Sequence, residues 1–306
     1  MKLSIVVCTR NRPELIGECL QALSQGGDAD TEVLVVDQST GDATGRIVSA
    51  HPGIRRIPTS SVGLSRARNL GIAQSSGEIV AFTDDDCVPA PDWADSIVRE
   101  FDRSPEISAV YGRSLPWTKP APGERPVAVK TSTARKVFKG RRNPWELGHG
   151  CNMSFRREVF QSAGLFDEVL GPGGTLRNCD DADFTYRLLR SGFSACYSPD
   201  VLVYHKQFRH GEDLWKLERD YGIGAGAFYI KHLRCRDYYI LKLILDRWWK
   251  AGALHIFYGL LTGKKSHLRL GWSRISYSIL GMWKARKVEL RLDSRTFLET
   301  PAGGFP

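Results

Sequence analysis

The sequence predicts an α/β fold: a Rossmann-like, mostly parallel sheet with helices on both faces, followed by a helical C-terminal region. Three observations predict it. Short apolar runs without polar alternation, such as residues 3–8 (LSIVVC) and 32–36 (EVLVV), mark strands buried on both faces. Helical patterns and short loops separate these runs, the alternation that builds parallel sheets through crossover connections. Beyond Lys206 the pattern is mainly helical and amphipathic.

Each element follows in order. After the strand at 3–8, Arg12-Pro13 opens a helix through Leu15, Cys19, Leu20 and Leu23 that ends at Gly26-Gly27. The strand at 32–36 halts at Asp37. A helix is expected over 42–50, a strand over 54–57, and a helix over 64–74 closed by Gly77. The next strand, 78–82, runs into Asp84, Asp85 and Asp86. Ligands of open parallel sheets bind beyond the carboxyl ends of the strands. Thr9, Asp37 and the aspartate triplet all fall at such ends, which places one site. After Tyr111 the pattern changes, and 116–144 is rich in Pro, Lys and Arg. It holds seven basic residues and no acidic one between Arg125 and Arg142. A long mobile loop is expected there. Order returns at 148–155, with a helix near Glu158. The acidic cluster Asp180, Asp181 and Asp183 leads into a helix through Tyr186, Leu188 and Leu189 to Gly192, and 201–204 is a last strand.

Composition narrows the classes. At 306 residues, 42% hydrophobic and 25% charged, the chain has ordinary globular make-up. Its +9 charge is uneven: residues 1–205 carry 24 Lys/Arg against 25 Asp/Glu, and residues 206–306 carry 19 against 9. The last third also holds five of the eight Trp and six of the ten Tyr. That combination suits a membrane surface or a nucleic acid, or a helical cap whose aromatics are core. Two domains are expected, 1–205 and 206–306. The seven cysteines (Cys8, Cys19, Cys87, Cys151, Cys179, Cys196 and Cys235) show neither a CxxC pair nor zinc spacing, and fit free thiols in a reducing cytoplasm. The N-terminal run lacks the charged head and long apolar core of a signal peptide. The uncharged run 251–263 is too short to span a bilayer but fits its interface. Trp248-Trp249-Lys250 and Lys264-Lys265 flank it, as an interfacial helix on anionic lipid requires. The expected location is cytoplasmic and peripheral to the inner face of the membrane, with an ordinary helical cap as the alternative.

Three adjacent carboxylates at a strand end need a reason. Two unit charges ~4 Å apart repel by roughly 4 kcal/mol at an effective dielectric near 20. Hard divalent cations relieve such repulsion, and Mg²⁺ often shares carboxylates with substrate phosphates. An exposed turn is the plainer use of Asp. In 63–69 (GLSRARN), Arg66 and Asn69 stand three apart on one helix face, facing a nucleotide or solvent.

Six segments in order, 4–12 (SIVVCTRNR), 35–39 (VVDQS), 63–71 (GLSRARNLG), 81–89 (AFTDDDCVP), 150–157 (GCNMSFRR) and 180–188 (DDADFTYRL), resemble the motifs of family 2 glycosyltransferases. The resemblance covers residues 1–205 and implies the glycosyltransferase A-type fold. It implies that Thr9 and Asp37 line a nucleotide-base pocket, with Arg10 also on the nucleotide-sugar side and Arg66 and Asn69 near base and ribose. The triplet matches the DxD element: Asp86 would ligate a divalent cation, Mn²⁺ or Mg²⁺, and Asp84 or Asp85 would approach ribose and metal. Gly150, Cys151 and Asn152 would border sugar and acceptor. Asp181 falls at the catalytic base. Asp180 replaces the usual Glu before it, so the choice between the two stays open. His205, ending the strand-like VLVYH run, resembles a histidine that completes the metal shell in some relatives, and a structural histidine is the alternative.

The implied reaction is a single inverting displacement. It moves one sugar from a UDP-, GDP- or dTDP-linked donor to a glycan or lipid-linked acceptor in envelope polysaccharide or glycolipid synthesis. An anionic membrane surface is a further expected partner, and nucleic acid is not expected. Gln38 and Ser39 replace the family's usual acid and Gly, which leaves the base open. The Gln-x-x-Arg-Trp element of processive synthases is missing, since Ile244 precedes Arg247-Trp248 where Gln would stand. Two other classes compete. A sugar nucleotidyltransferase would carry a Gly-rich loop after the first strand, and residues 9–13 have no Gly. A non-catalytic nucleic-acid or lipid-binding protein would leave the two acidic clusters without a use.

Overall fold

The structure is a computed structural model that describes residues 1–26 and 30–298. Gly27, the second residue of the expected helix stop, lies outside the described residues. The chain divides into two compact units, Met1–Phe166 with Phe184–His210, and Asp167–Asp183 with Gly211–Pro306. Residues 167–183, including Asp180 and Asp181, thus group with the C-terminal helices, although the sequence boundary at 205/206 put them in the first domain.

In the first unit, β1 (Leu3–Thr9), β2 (Thr31–Asp37), β3 (Ile54–Pro58) and β4 (Ile79–Asp84) alternate with α1 (Pro13–Gln25), α2 (Ala43–Ser49) and α3 (Leu64–Gln74). These four strands pair in parallel in the order β3-β2-β1-β4. The chain continues through β5 (Cys87–Pro89), α4 (Trp93–Arg103), β6 (Ile107–Pro116), β7 (Arg125–Pro126), β8 (Lys136–Phe138), β9 (Asn152–Arg156) and α5 (Val159–Ser162). After the excursion at 167–183 come α6 (Asp180–Arg190), β10 (Ser194–His205) and β11 (Phe208–Arg209). The sheet extends as β9-β6-β10-β5 beyond β4. Here β9 runs antiparallel to both β4 and β6, β6 and β10 are parallel, and β5 and β8 are antiparallel to β10. The sheet is therefore largely parallel, as expected, with an antiparallel insertion in its second half.

The apolar runs are continuous because both faces are covered. Ile5, Val7, Ile79 and Ala81 pack with Ile16, Cys19, Leu20 and Leu23 of α1 and with Trp93, Ile97 and Phe101 of α4. The alternate residues Val6, Val80 and Phe82 meet Ala67 and Ile72 of α3 and Phe184 and Leu188 of α6 on the other face. Gly71 permits the close approach of α3, since a Cβ there would stand 2.3 Å from Val6 Cγ1. Two stretches differ from expectation. The sequence reading assigned nothing between Cys87 and Tyr111, where α4 and most of β6 form. The region 116–144, read as a long mobile loop, pairs along its length: β7 joins β11, Lys130 bridges Ser114, and β8 joins β10 with Phe138 buried.

The second unit contains α7 (Gly211–Arg234), α8 (Tyr239–Arg247), a π-helical stretch Trp248–Ala253, α9 (Leu254–Thr262), α10 (Lys265–Ala285) and a small hairpin, β12 (Leu290–Arg291) with β13 (Thr296–Phe297). Small residues bring α7 and α10 together: a Cβ on Gly226 would sit 2.0 Å from the Ser278 carbonyl oxygen. Lys231 of α7 is fully buried between two carboxylates, at 2.8 Å from Asp167 and 2.6 Å from Asp183, and His232 lies 2.9 Å from Asp183. Asp167 also accepts from the Phe297 backbone N–H. This network ties residues 167–183 to α7. Among the described residues no helix is long and apolar enough to cross a membrane.

Candidate active site

Strand register gathers the polar residues. Thr9 lies opposite Asp37, and Cys8 opposite Asp84, so β1, β2 and β4 end in one row. His205 pairs with Cys87 across β10 and β5, which brings the end of β10 beside the aspartate turn. Lys206 N–H, one residue on, donates to the Asp86 carbonyl.

Every carboxylate of the triplet has a defined neighbour. Thr9 Oγ1 donates to Asp85 Oδ2 at 2.8 Å. Arg12 Nη1 bridges Asp85 Oδ1 and Asp86 Oδ2, at 3.1 Å each. Arg68 Nη2 lies 3.4 Å from Asp84 Oδ1 and donates to the Gly150 carbonyl at 3.1 Å. Gln207 Nε2 donates to Asp86 Oδ2. The other Asp86 oxygen, Oδ1, is buried without a hydrogen bond and stands 3.4 Å from His205 Nε2. Burial pushes the Asp85 carboxyl up to about 6 against the pull of Arg12. Burial also pushes Asp84 up, opposed by Arg68. At Asp86 burial is outweighed by His205 and Arg12, which hold it below the ordinary range. Burial lowers His205, yet Asp86, Cys151 and Asp84 raise it to about 9.

This set fits a divalent cation. Ligand atoms of Asp84, Asp86 and His205 all lie within 4.8 Å of one another, and the unbonded Asp86 Oδ1 faces the imidazole. Two carboxylates and an imidazole form a donor set for a hard to borderline ion.

The remaining sequence candidates divide. Asp37 is buried, gripped by Arg56 at 2.7 and 2.8 Å, and caps Ser39 N–H at 2.9 Å. Arg10 is exposed at the end of β1, and Arg66 is half-buried with Nη1 donating to the Val62 carbonyl. Two of the candidates are held by hydrogen bonds within the fold. Asn69, read as a donor to base or ribose, spends its carboxamide on the backbone N–H and C=O of Phe166, at 2.9 Å each. Asn152, read as bordering sugar and acceptor, accepts from Trp93 Nε1 and donates to the carbonyls of Arg113 and Val201. Both pin loops instead of facing outward. Gly150 offers its carbonyl to Arg68, and Cys151 is buried near Cys87. Asp180 and Asp181 open α6 in the second unit, Asp180 buried and Asp181 partly exposed. Asp181 Oδ1 accepts from Ala182 N–H at 2.7 Å. The turn before them holds Arg177 and Cys179 in the left-handed region, at φ 76° and 72°, a conformation costly for non-glycine residues.

Sequence reasoning passed over Arg12, Arg68 and Gln207. Arg68 had a signal: with Ser65, Asn69 and Ile72 it follows the spacing of the buried face of α3, where a charge needs a partner. Gln207, two beyond His205, continues the period of the strand.

An acidic, cation-suited cluster beyond the carboxyl ends of a largely parallel sheet lies where open α/β sheets bind their ligands. The family model "Glycosyl transferase family 2" matches residues 4–164, and the chain belongs to that family. It is a glycosyltransferase with the glycosyltransferase A-type fold. It is 29% identical to glycosyltransferase AglE of Haloferax volcanii, over 71% of this chain and 75% of that protein. It is 25% identical to the glucosyl-dolichyl phosphate glucuronosyltransferase of the same organism, over 73% of this chain and 75% of the relative. Among solved structures, the mannosyltransferase PcManGT of Pyrobaculum calidifontis, in complex with GDP-Man and Mn²⁺, superposes with a TM-score of 0.61. That match has 19% identity and covers 93% of this chain and 86% of the other.

Proposed function

We propose that this chain is a metal-dependent, inverting, non-processive glycosyltransferase. It moves a single sugar from a nucleotide-sugar donor, UDP-, GDP- or dTDP-linked, to a glycan or lipid-linked acceptor of the cell envelope. The observation that carries the reading is the convergence of Asp84, Asp86 and His205 at the strand ends, with Asp86 Oδ1 unbonded. An imidazole nitrogen in the set favours Mn²⁺ over Mg²⁺, which prefers oxygen and water. A cation held there supplies charge neutralisation for a departing diphosphate. Arg12 keeps the carboxylates ionised and oriented, and Thr9 fixes Asp85. The acceptor hydroxyl oxygen bonds to the anomeric carbon as the bond to the diphosphate breaks, and the hydroxyl proton passes to Asp181 as base. Asp181 is favoured over Asp180 because its side chain is the more exposed of the two.

Screening nucleotide-sugars for turnover with and without Mn²⁺ tests the reading. One donor should respond, Asp86→Asn should lose the metal dependence, and Asp181→Asn should lose transfer while keeping nucleotide binding. Full transfer by Asp181→Asn sinks the base assignment.

The second unit supports a membrane-facing acceptor. Leu245, Trp249, Phe257, Leu260, Leu261 and Trp272 are each more than 60% exposed. Exposed Lys242, Lys250, Lys264 and Lys265 lie on the same helices or next to them. Apolar side chains fringed by cations suit the interface of an anionic bilayer, on the cytoplasmic face. The lipid-linked substrate named in the H. volcanii glucuronosyltransferase supports the same class of acceptor. Flotation with anionic vesicles tests this, and no salt-sensitive binding would rule it out.

A further inference from the structure

His205 belongs to a second constellation. Cys87 in β5 and Cys151 just before β9 approach the same ring, and ligand atoms of Cys87, Cys151 and His205 all lie within 4.8 Å of one another. The three are 0%, 2% and 4% exposed. A buried cysteine pair by itself is ordinary apolar packing. His205 Nδ1 is not ordinary: it is buried and without a hydrogen bond, where a satisfied imidazole would be expected.

We propose that Cys87, Cys151 and His205 form a binding site for Zn²⁺, distinct in donor chemistry from the aspartate set. Two thiolates and an imidazole select a thiophilic ion, whereas carboxylates select a hard one. Zn–S bonds of ~2.3 Å and Zn–N bonds of ~2.0 Å in a tetrahedron bring the ligand atoms to about 3.6–3.8 Å from one another. The spacing within 4.8 Å lies about 1 Å or less from that geometry. Each thiol, and the His205 ring where it is protonated, gives a proton to solvent as its sulfur or nitrogen bonds to the ion, and a fourth position stays open for water. The chain thus has adjacent hard and soft donor sets with one histidine common to both. The proposal shares His205 with the proposed cation site, and Cys151 with the segment expected to border sugar and acceptor.

The test uses the reduced full chain and Co²⁺ as a spectroscopic substitute for Zn²⁺. One equivalent of Co²⁺ should produce thiolate-to-cobalt charge-transfer absorption, and Zn²⁺ should bleach it. Cys87→Ala and Cys151→Ala should each lose the band, and Asp84→Asn should keep it, separating this site from the aspartate cluster. Should the alanine variants fail to fold, X-ray absorption at the zinc edge of the Zn²⁺-loaded wild-type chain decides, because two Zn–S bonds of ~2.3 Å should appear. A wild-type chain without the band, or a band that survives in both cysteine variants, overturns the proposal. So does a zinc shell without sulfur.

Discussion

If Asp84, Asp86 and His205 hold the proposed cation, its binding should depend steeply on pH, with a slope set by His205. The metal-free imidazole carries a proton at neutral pH: burial works against it, but Asp86, Cys151 and Asp84 raise its pKa to about 9. A cation takes the neutral ring and must expel that proton. Affinity should then rise about tenfold per pH unit below 9 and level off above it, or roughly 70-fold between about pH 6.5 and 8.5. The same shift acts on the metal-free fold with opposite sign. The folded pKa lies above the ordinary value of about 6.5, so the contribution of about 3 kcal/mol is full below pH 6.5 and is lost as pH rises through about 9. Free Mn²⁺, counted by electron paramagnetic resonance across a pH series, measures the first effect. His205→Gln should bind more weakly and with little pH dependence. Equal slopes in the wild-type chain and the Gln variant, or a flat wild-type profile, would refute the assignment of His205.

Three further outcomes follow from packing. Asn152→Ala leaves Trp93 Nε1 and the Arg113 and Val201 carbonyls without their partner, and should cost about 3 kcal/mol in thermal denaturation. Lys231→Met strips Asp167 and Asp183 of their buried cation, and should cost ~3–5 kcal/mol by denaturant midpoint; a loss below ~1 kcal/mol would contradict the network. Gly71→Ala forces a methyl group against Val6, and should cost ~1–3 kcal/mol by overpacking, with Gly71→Ser worse.

The first half of the sheet was legible because a strand covered on both faces must be apolar throughout, and polarity resumes where the strand ends. Thr9, Asp37 and Asp84 marked the strand ends for that reason. The antiparallel entry of β9 between β4 and β6 was not legible, since strand order is a long-range choice that local pattern does not encode. Nor were the partners of Arg68 legible: only the folded positions of Asp84 and Gly150 bring them to that guanidinium. The partners of Asn69 and Asn152 were not legible for a related reason. A carboxamide has equal capacity for ligand and for backbone, and here the backbone of Phe166, Arg113 and Val201 claimed it. The Cys87–Cys151 proximity was invisible as spacing, because 64 positions of chain separate residues that the sheet makes neighbours.

Lys231 has a consequence for biogenesis. Residues 167–183 leave the ribosome before α7 does, but the carboxylates of Asp167 and Asp183 meet their cation only once Lys231 has emerged. Until then they have no buried counter-charge, and water is their better solvent. The sheet can assemble early in synthesis, strand by strand, while the turn that bears Asp181 waits for a helix made later. A nascent chain paused after β10 would carry the strands that bear the aspartate triplet, while Asp167 and Asp183 still lacked their cation.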